Sequence, residues 1–267
     1  MRLTWLSDVH LNFLSRQDVE QLAAKVRAER PDTVMLTGDI AEAATMRMWM
    51  ERLDDLLQMP IYFVLGNHDF YGGSIAKVRA EAAALQAQRP NLRYLTLVEE
   101  PIRLTANVGL IGDDGWADGR LGKYETSYVM MNDYRLIAEL ARLTKEARWY
   151  KLQELGDQAA THIRRLLSAA VEQYPQAILA THVPPLREAC WHEGQLSDDE
   201  WLPHFTCKAV GDAVLEIMRA APRRQLTVYC GHTHSPGTCQ PLPNVTIYTG
   251  SAKYGLPQVQ RTIELID

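Results

Sequence analysis

IYFVLGNHDFY, residues 61–71, is the stretch on which the reading of this chain turns. Its leading side chains are apolar, rich in β-branched and aromatic types, and bounded by Pro60 and Gly66, which reads as a strand buried in an α/β sheet. Ligands of such sheets sit beyond the carboxyl ends of the strands. There Gly66 permits a sharp turn, and Asn67, His68 and Asp69 present an amide oxygen, an imidazole and a carboxylate together.

The same grammar recurs along the chain. Residues 2–6 lead into Ser7-Asp8-Val9-His10 and residues 33–36 into Thr37-Gly38-Asp39. Residues 177–180 lead into Thr181-His182, and residues 226–230 into Gly231-His232-Thr233-His234. Asp8 and His10 are two apart, as are His232 and His234. In extended chain such pairs project to one side, so each pair is expected to reach one centre from an extended backbone.

With 267 residues and 46% hydrophobic content the chain can bury a sizeable core, and it reads as one domain spanning residues 1–267. The net charge of -5 and pI near 5.9 give no general basic footprint, which disfavours a nonspecific nucleic-acid binder. Cys190, Cys207, Cys230 and Cys239 show neither metal-type spacing nor a dense framework, and a reduced, cytoplasmic setting is expected. No apolar run approaches membrane-spanning length, and with a strand expected from residue 2 no signal peptide is expected.

Ser15 caps an expected helix carrying Val19, Leu22, Ala23 and Val26 on one face, and residues 42–59 form another, with Met46, Met50, Leu53 and Leu57 as a core stripe. A third runs from about Ser74 to Gln88, and residues 107–112 supply a strand. This alternation is the rhythm of parallel crossovers. It breaks between 113 and 175, a segment about five times longer than a minimal crossover and therefore expected as a cap or insertion. Its second half, residues 145–173, is an amphipathic helix expected to cover a sheet. Trp116, Tyr128, Asn132, Tyr134 and Arg135 in its first half are candidate substrate contacts, because long loops in compact domains tend to be functional. Residues 183–205, with Trp191, His192, Trp201 and His204, are a candidate second wall, although His162, His192 and His204 individually are expected in surface or packing roles. Residues 207–220 read as helix, and 245–248 and 259–266 as late strands joined in hairpin fashion to give a mixed sheet.

Carboxylate, amide and imidazole donors without thiolates allow a structural zinc site, a single catalytic metal or a two-metal centre. Asp8, His10, Asp39, Asn67, His182, His232 and His234 are too many for one tetrahedral ion, and structural zinc usually takes thiolates. Two ions sharing a carboxylate would use them all, an arrangement suited to in-line displacement at phosphorus.

The ordered set Asp8-x-His10, Gly38-Asp39, Gly66-Asn67-His68-Asp69, Thr181-His182 and Gly231-His232-Thr233-His234 resembles the calcineurin-like metallophosphoesterase superfamily. The resemblance implies an α/β fold of mixed sheets, a four-layer αββα sandwich with a dinuclear site at the strand ends. It implies that Asp8, His10 and His234 hold one metal, that Asn67, His182 and His232 hold the other, and that Asp39 bridges them. The ions would be transition metals, manganese, iron or zinc, and a hydroxide between them would attack phosphorus. His68 would serve the leaving oxygen, with Asp69 as its orienter. The substrate class implied is a small phosphodiester or phosphomonoester, a nucleotide among the candidates. A nuclease and a noncatalytic metal-binding scaffold are the alternatives. After Asp39 the chain reads Ile40-Ala41-Glu42-Ala43, unlike the Asp-Arg-Gly continuation of Ser/Thr protein phosphatases. The run Thr181-His182-Val183-Pro184-Pro185 is similar to small-substrate phosphodiesterases of the superfamily.

Overall fold

The computed structural model describes residues Met1–Asp267. Two sheets lie face to face. In the first, β1 (Arg2–Leu6), β2 (Thr33–Thr37), β3 (Ile61–Val64) and β4 (Leu92–Tyr94) run parallel. In the second, β5 (Ile102–Arg103), β6 (Val108–Asp113), β7 (Gln176–Thr181), β10 (Gln225–Cys230), β12 (Val245–Thr249) and β11 (Gly237–Leu242) follow in that spatial order. Strands β6, β7, β10 and β12 are parallel, and the edge strands β5 and β11 antiparallel. A short hairpin, β8 (Trp191–His192) with β9 (Gln195–Leu196), stands apart.

Side-chain alternation builds the layers. Leu3, Trp5, Met35 and Val64 of the first sheet meet Leu110, Ile178, Ala180 and Tyr229 of the second in a core between the sheets. Their neighbours Val34, Leu36, Ile61 and Phe63 face outward into a core under the helices α1 (Arg16–Ala28), α2 (Met46–Leu57) and α3 (Ile75–Gln88). On the far side Ala177, Leu179, Leu226 and Val228 meet α5 (Lys145–Gln173) and α7 (Lys208–Ala220). Both faces of the central strands are buried, which is why they read as unbroken apolar runs. The result is the four-layer αββα sandwich with mixed sheets.

The expected helices form, and their ends have identifiable causes. At α1 the Ser15 hydroxyl accepts from the Asp18 N–H and the Asp18 carboxylate accepts from the Ser15 N–H, a closed capping box. Helix α5 lies on the outer face of the second sheet as the crossover between parallel β6 and β7. The excursion from the sandwich is the stretch 114–144 before it, with the short α4 (Asp133–Leu136). A further short helix, α6 (Leu202–Phe205), precedes α7.

The late strands differ from expectation. Strand β12 pairs in hairpin fashion with β11, whereas β13 (Arg261–Glu264) crosses to the other sheet and pairs antiparallel with β1. Each sheet is thereby mixed. Strand β11 escapes a propensity reading because it contains Gly237 and Pro241, residues tolerated at an edge, and its register shifts between Cys239 and Leu242. The four cysteines are unpaired.

Candidate metal centre

All seven predicted donors converge past the carboxyl ends of β1, β2, β3, β7 and β10. The backbone that brings them there is not the extended chain that the two-apart spacing suggests. Asp8 (φ 49°), His10 (φ 44°), Asp39 (φ 51°), His232 (φ 70°) and His234 (φ 58°) all adopt the left-handed conformation. Non-glycine residues held there cost on the order of 1–3 kcal/mol each and persist only where the surroundings over-determine them. Here the turns after β1 and β2 run alongside one another. Asp8 N–H donates to Gly38 O at 3.1 Å, His10 N–H to Asp39 O at 2.9 Å and Leu11 N–H to Ile40 O at 2.7 Å. Across the two sheets His232 N–H donates to Asp8 Oδ1 at 2.9 Å.

Two groups of donors share Asp39. The ligand atoms of Asp8, His10, Asp39 and His234 lie within 4.8 Å of one another. His10 Nε2 is 3.0 Å from His234 Nε2 and 3.7 Å from Asp39 Oδ2, and His234 Nε2 is 3.5 Å from Asp8 Oδ1. On the other side His182 Nε2 is 3.4 Å from Asp39 Oδ1. Asn67 Oδ1 lies 3.0 Å from His182 Nε2 and 2.9 Å from His232 Nδ1.

Hydrogen bonds behind the donors fix which atoms face the centre. His182 Nδ1 meets Thr37 O at 2.9 Å and His232 Nε2 meets His204 O at 3.1 Å; a carbonyl only accepts, so each of these nitrogens carries the proton. The opposite nitrogens then direct lone pairs inward. Asn67 Nδ2 donates to Asp133 Oδ1 at 2.9 Å and to Tyr71 Oη at 3.0 Å, while the Tyr71 hydroxyl donates to the same carboxylate oxygen at 2.6 Å. Asn67 therefore turns its carbonyl oxygen toward both imidazoles. Lone pairs of His182, His232 and Asn67 gathered this closely call for a cation between them, and the donor set fits a transition metal.

Electrostatics agree with that demand. Burial pushes His10 and His232 down to about 3, keeping them neutral as metal donors must be. Burial opposes ionisation of Asp39, yet the imidazoles of His182, His68 and His10 hold its carboxyl well below the usual range. Burial likewise pushes His182 down, but Asp39 and Asp8 outweigh it and hold it above its ordinary value.

Asp69 departs from expectation. Its carboxylate accepts from the backbone N–H groups of Ala41 and Gly66, each at 2.8 Å, and of Ile40 at 3.1 Å, and it makes no hydrogen bond to His68. The short 3₁₀ turn His68–Phe70 swings it beneath the loop, where buried amides need an acceptor. Burial and the nearby Asp39 push Asp69 up to about 7. It is a structural tie, not an orienter of His68. The His68 ring itself packs between His10 and Tyr71, with centroids 4.6 and 4.3 Å away, and its Nδ1 is buried without a partner.

A cleft of about 390 Å³ opens over the donors. The excursion contributes Met130, Met131 and Asn132, and the second wall contributes His192, Trp201 and Phe205. Of the aromatics expected there, Trp116 and Tyr134 are buried instead, Trp116 against Phe70 and Tyr134 bonded to His204 Nδ1 at 2.6 Å, while Tyr128 projects into solvent. Arg135 does not line the cleft. His192 lines it, contrary to a surface or packing role, whereas His162 pairs with Asp113 at 2.8 Å and His204 is buried. Asp133, Tyr71 and Tyr254 were not legible as site residues. Tyr254 reaches the centre from a loop before β13, with its ring 4.6 Å from His10 and 5.1 Å from His234.

The fold is a two-sheet sandwich that carries a cluster of metal-type donors at its strand ends. The calcineurin-like phosphoesterase family matches residues 1–236, and the chain belongs to that family. Metal-dependent phosphoester hydrolysis is the class of chemistry that membership supports. The phosphopantetheinyl hydrolase of Mycobacterium tuberculosis superposes with a TM-score of 0.68 at 17% identity, covering 94% of this chain and 89% of that one. A dimetal phosphatase from Danio rerio gives 0.61 at 16%, covering 98% and 91%. At these identities the likeness is one of fold. Among curated relatives, the Bos taurus "transmembrane protein with metallophosphoesterase domain" is 28% identical over 120 residues, 43% of this chain but only 26% of that protein. The Danio rerio protein of the same description is 31% identical over 80 residues, 28% of this chain and 18% of that protein. No helix of this chain is long and apolar enough to cross a membrane.

Proposed function

We propose that this chain is a cytoplasmic phosphoesterase that hydrolyses a small phosphodiester or phosphomonoester with two transition-metal ions, manganese, iron or zinc. The observation that carries the reading is the convergence of His182 Nε2, His232 Nδ1 and Asn67 Oδ1 at 2.9–3.0 Å, with each outer partner fixing the lone pair inward. Asp8, His10 and His234 would hold the first ion, Asn67, His182 and His232 the second, and Asp39 both. Bound there, the ions supply Lewis acidity toward the phosphoryl oxygens and an activated water as nucleophile. Around them the chain does the rest. Asp133 and Tyr71 orient Asn67, and His68 holds a proton for the leaving oxygen. Residues 1–267 act as one domain, in which the stretch 114–144 of the 113–175 insertion walls the cleft.

A nuclease is less well supported, because no Lys or Arg lines the cleft to track a phosphate backbone. A noncatalytic scaffold does not account for the full donor set together with an unpaired, buried His68 Nδ1. Elemental analysis after reconstitution is expected to give two ions per chain, with metal-dependent turnover of bis-p-nitrophenyl phosphate or p-nitrophenyl phosphate. A chain that never exceeds one ion refutes the dinuclear reading, and two ions without turnover favour the scaffold.

Asp133→Ala tests the support of Asn67. Loss of the carboxylate frees the amide to turn over and strips the Tyr71 hydroxyl of its acceptor. Removing such outer partners typically costs about 10–100-fold in metal affinity. Chelator competition should find that loss at one ion of the two; equal retention of both would show that Asn67 needs no such support.

A further inference from the structure

The cleft over the donors differs sharply in character from its floor. The floor consists of metal-type donors, while the walls are aromatic and thioether side chains with neutral hydrogen-bonding groups among them. From the floor outward the rings form a stair: Phe205 stands 4.7 Å from His232, and Trp201 stands 5.9 Å from Phe205. Trp201 is 47% exposed and Met130 51% exposed, large apolar groups left facing solvent at the mouth of a site. A side recess of about 60 Å³ opens between His192, Ser197, Trp201, Phe205 and Thr233.

We propose that the substrate is a phosphodiester monoanion whose one ester arm carries a flat heteroaromatic ring, stacked on Trp201 with its edge toward Phe205. This rests on the phosphoesterase reading above. Charge argues for the diester. A phosphomonoester dianion or a pyrophosphate is usually met by arginine forks or a lysine, and this cleft offers neither beyond the metals. Shape and lining argue for the ring. Every base has a π face, and stacking on an aromatic side chain is sequence-tolerant and strong, while methionine adapts to flat partners. The small recess suits a substituent on the ring's edge, with Ser197 and His192 at hand to hydrogen-bond it. A cleft of about 390 Å³ falls in the small-molecule range and not in that of a strand-long groove.

The test uses the metal-loaded protein and three probes that separate ring from charge. Adenosine 5′-methylphosphonate carries a ring and one charge, AMP a ring and two charges, and dimethyl phosphate one charge without a ring. Calorimetry should rank adenosine 5′-methylphosphonate at least about tenfold tighter than either of the others, and saturable quenching of tryptophan fluorescence should accompany it. Trp201→Ala should collapse its advantage over dimethyl phosphate by roughly five- to a hundredfold, with Trp201→Phe restoring most of it and losing the fluorescence signal. AMP binding as tightly overturns the diester assignment. Equal binding of the two monoanions, or an advantage unchanged in Trp201→Ala, overturns the stacking site. A protein that turns over bis-p-nitrophenyl phosphate yet shows no ring preference refutes this inference alone. One that turns over no phosphate ester in any metal-loaded form sinks the phosphoesterase reading itself.

Discussion

Gly66→Ala should yield a chain that loads neither metal ion fully and loses on the order of 10³-fold or more in phosphoester turnover. The reason is space. A Cβ at Gly66 would overlap Asp39 Oδ1 and the Asp39 backbone nitrogen and lie 2.7 Å from His182 Cε1. Nothing in that set is a flexible tip. Asp39 sits in the left-handed region, its carbonyl accepts from His10 and its Oδ1 accepts from His68 N–H at 2.9 Å, so any shift is passed to both groups of converging side chains. Metal-centred stabilisation of the transition state is worth several kcal/mol, and each ~1.4 kcal/mol is a decade in rate. Overpacking of this kind costs about 1–3 kcal/mol in stability besides.

Gly72→Ala is the control for backbone strain. Gly72 has φ 74° and open space around its missing Cβ, so alanine there costs about 1–2 kcal/mol of conformational strain and leaves the metals alone. Elemental analysis, thermal unfolding and nitrophenyl turnover on both variants separate the two effects. Two ions and near-native turnover in Gly66→Ala would show that the Asp39 loop yields, and the account of a rigid centre would be wrong.

That rigidity bears on what could be read from residue order alone. The seven converging side chains were legible because each is local, an imidazole, amide or carboxylate directly after an apolar run. The αββα layering followed from those runs together with the resemblance. The backbone at the donors was not legible. Asp8, His10, His232 and His234 are left-handed because neighbouring turns from other strands hold them so, and spacing carries no trace of such partners. Asp69 shows the converse hazard. Adjacency to His68 suggested a pair, but burial of the loop's amides claimed its carboxylate. Asp133 lies 66 residues from Asn67 in the chain, and Tyr254 comes from beyond the residues that match the family. Their roles exist only once the excursion and the loop before β13 fold back on the centre.

His68→Ala is expected to lose about 10² to 10⁴-fold on an alkyl phosphodiester and far less on a nitrophenyl diester, with both ions retained. The geometry separates these consequences. The bond from His68 to Asp39 Oδ1 comes from the backbone N–H, so truncation at Cβ leaves the Asp39 carboxylate where it is. What is removed is the imidazole between His10 and Tyr71, whose buried Nδ1 no group of the chain satisfies. An imidazole left unpaired beside a cleft is free to place a proton on an oxygen that departs there. Nitrophenolate departs readily without one, whereas an alkoxide does not, so the penalty should scale with the basicity of the leaving oxygen. Rates for a matched series of diesters, measured on protein with verified metal content, give the slope directly. Equal losses across the series would place His68 in ground-state binding. Loss of an ion would instead show that its ring supports the neighbouring His10.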